Sequence, residues 1–137
     1  MILKKTPYLK SLVFFLVRAF ILLKNKVEPI ISGLRFRALI LNAGRSCSCH
    51  YSVEIKYPEK ILIGDNTKIG PKSTLGAYAS ITIGSNVVVS KSVLIETAGL
   101  NFKDQEIPYK HKGNAIIIED NVWIGANSII LGGVTIG

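Results

Sequence analysis

Few side chains in this 137-residue chain suit acid–base or nucleophilic chemistry near neutral pH. The two cysteines and one of the two histidines fall together as Cys47, Cys49 and His50 in "SCSCH". A zinc site needs about four such ligands, and no others accompany these. An i, i+2 spacing on a strand points both thiols to one face, too cramped for a usual disulfide. The three therefore read as small buried residues beside a structural or surface histidine, in a reducing compartment. The other histidine, His111 in "PYKHKG", lies within "TAGLNFKDQEIPYKHKGNA", residues 97–115, a polar, glycine-containing stretch that also carries Asn101 and Asp104. Such a stretch reads as a functional loop held by a more regular scaffold.

The scaffold is visible as a repeat. "ILIGDNTKIG" (61–70), "ITIGSNVVVS" (81–90) and "IIIEDNVWIG" (116–125) align, with Asn66, Asn86 and Asn121 at the same position. The starts are twenty and then thirty-five residues apart, one period and one period plus an insertion. Within the repeats an aliphatic residue recurs at every sixth position: Ile63, Ile69, Leu75; Ile83, Val89, Ile95; Ile118, Ile124, Ile130, Ile136. Two residues before each stands a β-branched or small residue, from Ile61, Thr67 and Ser73 through to Val134. In a strand, residues i and i−2 share a face. Each hexapeptide thus supplies a short strand with one large and one small inward side chain, then a corner where Gly or Asn accepts a positive φ. Three hexapeptides make one triangular coil, and coils stack through parallel strands about 4.8 Å apart. Helix-rich α/β folds and antiparallel sandwiches do not match a step of six.

Charge separates the two ends. Residues 1–45 carry nine Lys or Arg and one acid, Glu28, whereas residues 46–137 balance eight against eight. The basic character belongs to an N-terminal segment, and a nucleic-acid surface, which would line the folded body with Lys, Arg and stacking aromatics, is excluded. The apolar run 12–23 is twelve residues long with Arg18 inside it, too short to span a bilayer comfortably, and no small-residue cleavage site follows. On a helical wheel Lys10, Arg18 and Lys24 fall within about 120° of each other, opposite Leu, Val, Phe and Ile. This amphipathic helix suits either an anionic membrane surface, through residues 7–26, or packing on the chain's own body or a partner subunit. A second short helix is expected after Pro29, ending at Gly44. The chain divides into a helical segment, 1–45, and a repeat domain, 46–137, with the inserted loop 97–115.

With its hexads and the closing "DNVWIGANSIILGGVTIG" (120–137), the sequence resembles the hexapeptide-repeat acyltransferases, in particular the sugar O-acetyltransferases of the maltose, galactoside and polysaccharide-biosynthesis type. The resemblance implies an all-β fold, a left-handed parallel β-helix, with an N-terminal helical segment. It implies a homotrimer, which the reducing compartment and the basic helix read above would place in the cytoplasm, peripheral to the inner membrane face if the helix meets lipid. It further implies acetyl-CoA in clefts between neighbouring prisms and acetyl transfer to a hydroxyl of a sugar or surface-glycan precursor. Such transfer needs a base for the hydroxyl proton, a donor for the oxyanion and a slot aligning both substrates.

The family's catalytic histidine sits early in the loop, in a pattern like G-H-N-F-x-D. Here that stretch is Gly99-Leu100-Asn101-Phe102-Lys103-Asp104, and leucine cannot carry a proton. His111 becomes the candidate base if the loop folds back, with a solvated loop histidine as its alternative. Asn101 and Asp104 are candidates for binding sugar hydroxyls, or are turn and surface residues. Trp123, Gly125, Ala126, Gly132 and Gly133 are candidates for lining the acetyl-CoA cleft, Trp123 alternatively packing between subunits. The family continues past "GGVTIG" with coils that complete that cleft, so a fragment is expected. The competing functional reading is a non-catalytic trimeric scaffold, which Leu100 favours. A zinc-dependent β-helix enzyme would need three histidines per metal.

Overall fold

A computed structural model describes residues 7–103, 105 and 107–137. A long helix, α1 (Pro7–Leu39), is followed by short strands that wind as a three-sided prism. The first face stacks Ile61–Ile63, Ile81–Ile83, Ile116–Ile118 and Thr135–Ile136. The second stacks Ser48–Cys49, Lys68–Ile69, Val88–Val89 and Trp123–Ile124, and the third Glu54–Lys56, Thr74–Gly76, Leu94–Glu96 and Ile129–Leu131. All neighbours on the three faces are parallel. Ile61 is in register with Ile81 and Ile81 with Ile116, the separations expected from the repeat.

The sixth-residue series fills the prism. From Ile63 to Ile130 its members are at most 7% exposed, and Ile136 is partly buried. The companion series is equally buried in the middle coils, but Val134 in the last described coil is 42% exposed, because no described coil stacks on it. Three buried residues carry hydroxyls, Thr67 and Ser73 of the companion series and Thr97 just after Glu96. Buried Thr67, Ser73 and Thr97 donate to the carbonyls of Gly84, Ser90 and Gly76 at 2.8, 3.0 and 2.8 Å, which satisfies polar atoms that would otherwise be costly to bury. At the corners, Asn66, Asn86 and Asn121 have φ of 55°, 58° and 64° and bond side chain to side chain at 3.0 and 3.1 Å.

A further coil precedes the repeat found in the sequence. Cys49 is in register with Ile69, so Cys47 and Cys49 take the places of Thr67 and Ile69 one coil earlier. The Cys47 thiol donates to the Gly64 carbonyl at 2.9 Å, repeating the Thr67 bond. Ala43 bridges Ile63, and the Gly44 N–H donates to the Ile63 carbonyl. Gly44 is therefore part of the first coil rather than a helix terminus, and the boundary between helix and prism falls after Leu39, earlier than residue 45.

The two expected helices are one. Pro29 lies inside α1, where it lacks the N–H that would reach the Asn25 carbonyl. That costs about 3 kcal/mol. Docking offsets it, since Phe36 and Ile40 are buried over the first coil and each contributes on the order of 1.5–3 kcal/mol. Polar anchors share this helix face. Glu28 meets His50 Nε2 at 2.6 Å, Ser32 accepts from the Tyr51 N–H, and Arg35 donates to the Val53 carbonyl at 2.9 Å. Residues 10–27 stand exposed. Among the described residues no helix is long and apolar enough to cross a membrane.

Candidate functional site

The inserted segment leaves the prism at the edge where the third face turns into the first. Buried Thr97 holds its root: its hydroxyl donates to Gly76 and accepts from the Ala79 N–H at 2.9 Å, and its carbonyl accepts from Asn114 N–H at 3.2 Å. The segment then folds back on itself. Ala98–Leu100 pairs antiparallel with His111–Gly113, placing His111 opposite Leu100, Lys112 opposite Gly99 and Gly113 opposite Ala98. The Asn101 N–H donates to the Lys110 carbonyl at 2.9 Å. In an antiparallel ladder the next pair inward is then a non-hydrogen-bonded one, in which the two side chains approach most closely on a common face. His111 thus shares the face of the leucine that stands at the family's histidine position.

Neighbouring coils contribute to the same edge. The His111 ring lies 5.9 Å from that of Tyr78, which meets Tyr57 edge-on at 6.2 Å. Lys60 donates to the Tyr78 carbonyl at 2.7 Å. Gly113 is required here, because a Cβ would come within 2.7 Å of the Tyr78 ring. On the other side of the hairpin root, Gly132 lies so close to the Thr97 and Asn114 carbonyls that a Cβ would sit 2.8 Å from each, and Gly133 has φ 94°.

The remaining candidates fall elsewhere. Trp123 is on the second face, 75% exposed, its indole N–H donating to Ser90 at 3.0 Å. Gly125 and Ala126 follow at the corner of the second and third faces. A Cβ on Gly125 would meet nothing nearer than Ser128 Oγ at 3.9 Å, because no described coil stacks on this corner as Ser90 and Lys91 stack on Gly70. The candidate cofactor residues are therefore split between two edges of one prism, Gly132 and Gly133 near His111, the other three away from it. Asn101 turns the hairpin, its side-chain oxygen accepting from Lys103 N–H at 3.4 Å. Asp104 lies outside the described residues.

Tyr57, Lys60 and Tyr78 were not foreseen. The signal was the twenty-residue period carried one coil further back, which assigns 57–60 and 77–80 to the edge of the inserted loop. His50 belongs to the attachment of α1, with Nδ1 2.7 Å from Ser52 Oγ and Nε2 on Glu28. A cleft of about 720 Å³ beside it, between α1 and the second face, includes no hairpin residue in its lining. Burial pushes the Cys49 thiol up to about 11, with Arg35 opposing the shift, so it is a protonated core residue at neutral pH. Among the described residues no cluster of three or more His, Cys, Asp or Glu is arranged to hold a metal.

Comparison with known proteins agrees with this architecture. The hexapeptide repeat of succinyl-transferase matches residues 60–95 and 115–137. The colanic acid biosynthesis acetyltransferase WcaF of Escherichia coli (strain K12) is 29% identical over 108 residues, 75% of this chain and 58% of that protein. The chain thus spans less than two thirds of that relative's length. A hexapeptide-repeat acetyltransferase of Vibrio cholerae superposes over 97% of this chain and 76% of its own with a TM-score of 0.73 and 26% identity, a match that takes in α1. Its complex with acetyl-CoA matches at 32% identity over 74% of this chain and 56% of that one, TM-score 0.70. A maltose O-acetyltransferase of Clostridium difficile matches at 28% identity over 73% and 54%, TM-score 0.64. By repeat, relatives and fold, the chain is a hexapeptide-repeat protein similar to the hexapeptide-repeat acetyltransferases.

Proposed function

We propose that this protein transfers an acetyl group from acetyl-CoA to a hydroxyl of a sugar or surface-glycan precursor, with His111 as the base. The pairing of His111 with Leu100 carries the reading: the hairpin returns an imidazole to the face from which the family's histidine would act. An imidazole nitrogen of His111 takes the hydroxyl proton as the oxygen attacks the thioester carbonyl. A C–O bond forms, the C–S bond breaks, and His111 returns the proton to the departing thiolate. General base catalysis of this kind contributes about 10²- to 10⁴-fold.

Because Trp123, Gly125 and Ala126 lie on a different edge from His111, one prism does not assemble the site. A second copy brings the two edges together, in a homotrimer, and exposed Trp123 supports packing between copies. The bare stretch of α1, with Lys10, Arg18, Lys24 and Lys26 among exposed apolar residues, supports peripheral attachment to an anionic membrane on its cytoplasmic side. A non-catalytic scaffold is the second reading, favoured by Leu100. The deciding experiment is CoA release with a panel of sugars, with mass spectrometry of the sugar. An acetylated sugar supports the enzyme, and no CoA release above the uncatalysed rate with any sugar supports the scaffold.

A further inference from the structure

We propose that Tyr57, Lys60 and Tyr78 form an acceptor subsite selective for a sugar that carries a carboxylate. The inference rests on the reading of His111 as the base, because it names what lies beside that base.

Three observations carry it. The rings of His111, Tyr78 and Tyr57 form a continuous row along one edge, with centroid steps of 5.9 and 6.2 Å, drawn from the hairpin and the first two coils. An apolar sugar face can lie on exposed aromatic rings while its hydroxyls remain free to bond, and Tyr78 is next to the group that would take a hydroxyl proton. Lys60 is fixed within this row. Its ammonium lies 5.1 Å from the Tyr57 centroid and 5.6 Å from that of Tyr78, and one N–H is committed to the Tyr78 carbonyl. An ammonium has three donors, so two remain for a ligand. Finally, no described carboxylate pairs with Lys60. Glu59 is exposed beside it in sequence, Glu96 is engaged by the Ala98 N–H at 3.0 Å, and the ion pairs among described residues lie elsewhere.

A cation held over two rings without a counter-ion is pre-organised for an anion. A neutral hexose would leave that charge unused, whereas a hexuronic acid places its carboxylate on the ring that stacks. A free phosphate could satisfy the charge but not the stacking row, and this distinguishes the two.

The test measures binding without the acetyl donor, by NMR titration of the whole protein with methyl β-glucuronide, methyl β-glucoside and inorganic phosphate. The unaltered protein is expected to bind the glucuronide at least tenfold more tightly than either of the others. Lys60→Gln should remove that preference and leave glucoside binding unchanged, Lys60→Arg should keep it, and Tyr78→Ala should weaken both sugars. Melting temperatures identify any variant that fails to fold, and Lys60→Arg then carries the test. Equal binding of the two methyl glycosides, preference for phosphate, or a preference that survives Lys60→Gln overturns the proposal. The titration contains no acetyl donor and reads binding alone, so a fault in the catalytic reading of His111 leaves its result intact.

Discussion

His111 faces Leu100 across a two-stranded hairpin, in the pair next to the Asn101–Lys110 hydrogen bond, so both side chains lie on one face of the loop. The two positions are about 5 Å apart at Cβ, within the range an imidazole can cover by choice of rotamer. Exchanging them should therefore be tolerated. The double variant Leu100→His/His111→Leu is expected to retain CoA release within about tenfold of the original, while His111→Leu alone loses about 10²-fold or more. Steady-state kinetics on the three proteins check this. A double variant as inactive as the single one would show that the pairing does not matter.

Cys49 gives a pH dependence. Its folded-state value of about 11 stands above the ordinary 9.0, so the folded protein holds a proton that the unfolded chain begins to lose near pH 9. The stabilisation is fully present below pH 9 and disappears as pH rises through 11. Denaturation midpoints at pH 7.5 and 10.5, compared between the original and Cys49→Val, should show the original losing more on going to high pH. Iodoacetamide at pH 8.5 should modify Cys49 only after unfolding. Equal pH sensitivity of the two proteins would contradict the assignment.

The asparagine ladder at the corners separates backbone from side-chain effects. Asn86 has φ 58° and bonds both Asn66 and Asn121. Asn86→Gly keeps the left-handed backbone and loses only exposed bonds, and is expected to cost under about 1 kcal/mol. Asn86→Ala keeps a Cβ in that region without the polar side chain that eases it, at roughly 1–2 kcal/mol. Urea denaturation should rank alanine below glycine, and the reverse order would mean that the bonds, not the corner geometry, select asparagine.

The exposed part of α1 predicts salt-sensitive attachment to lipid. The protein should sediment with phosphatidylglycerol vesicles at low salt, less at high salt, and little with phosphatidylcholine. Lys10→Glu with Arg18→Glu should abolish binding while leaving the melting temperature unchanged, since both residues stand on the exposed stretch of α1. Indifference to lipid charge would instead fit burial of the apolar face between copies.

The prism was legible because its physics is local and periodic. Side chains such as Ile63, Ile69 and Leu75 must point inward once every sixth residue, and little else satisfies that spacing. The first coil was placed in the repeat domain from residue 46, but its register was not legible, because Cys47 and Cys49 stand where later coils have Thr67 and Ile69 and break the aliphatic series. Continuity of α1 through Pro29 was not legible, because burial of Phe36 and Ile40 over the coil is a tertiary term that no local preference records. The site was legible in part. The loop and His111 stand out by composition, but the register that sets His111 against Leu100 depends on where the hairpin turns. Tyr57 and Tyr78 reach the edge from different coils, and only stacking brings them together.

The account rests on one imidazole acting as base. The most direct measurement is the rate of CoA release for His111→Ala beside the original protein, with acetyl-CoA binding measured in parallel. The expected result is a fall of about 10²- to 10⁴-fold in kcat with donor affinity unchanged. An undiminished kcat in the folded variant would contradict it.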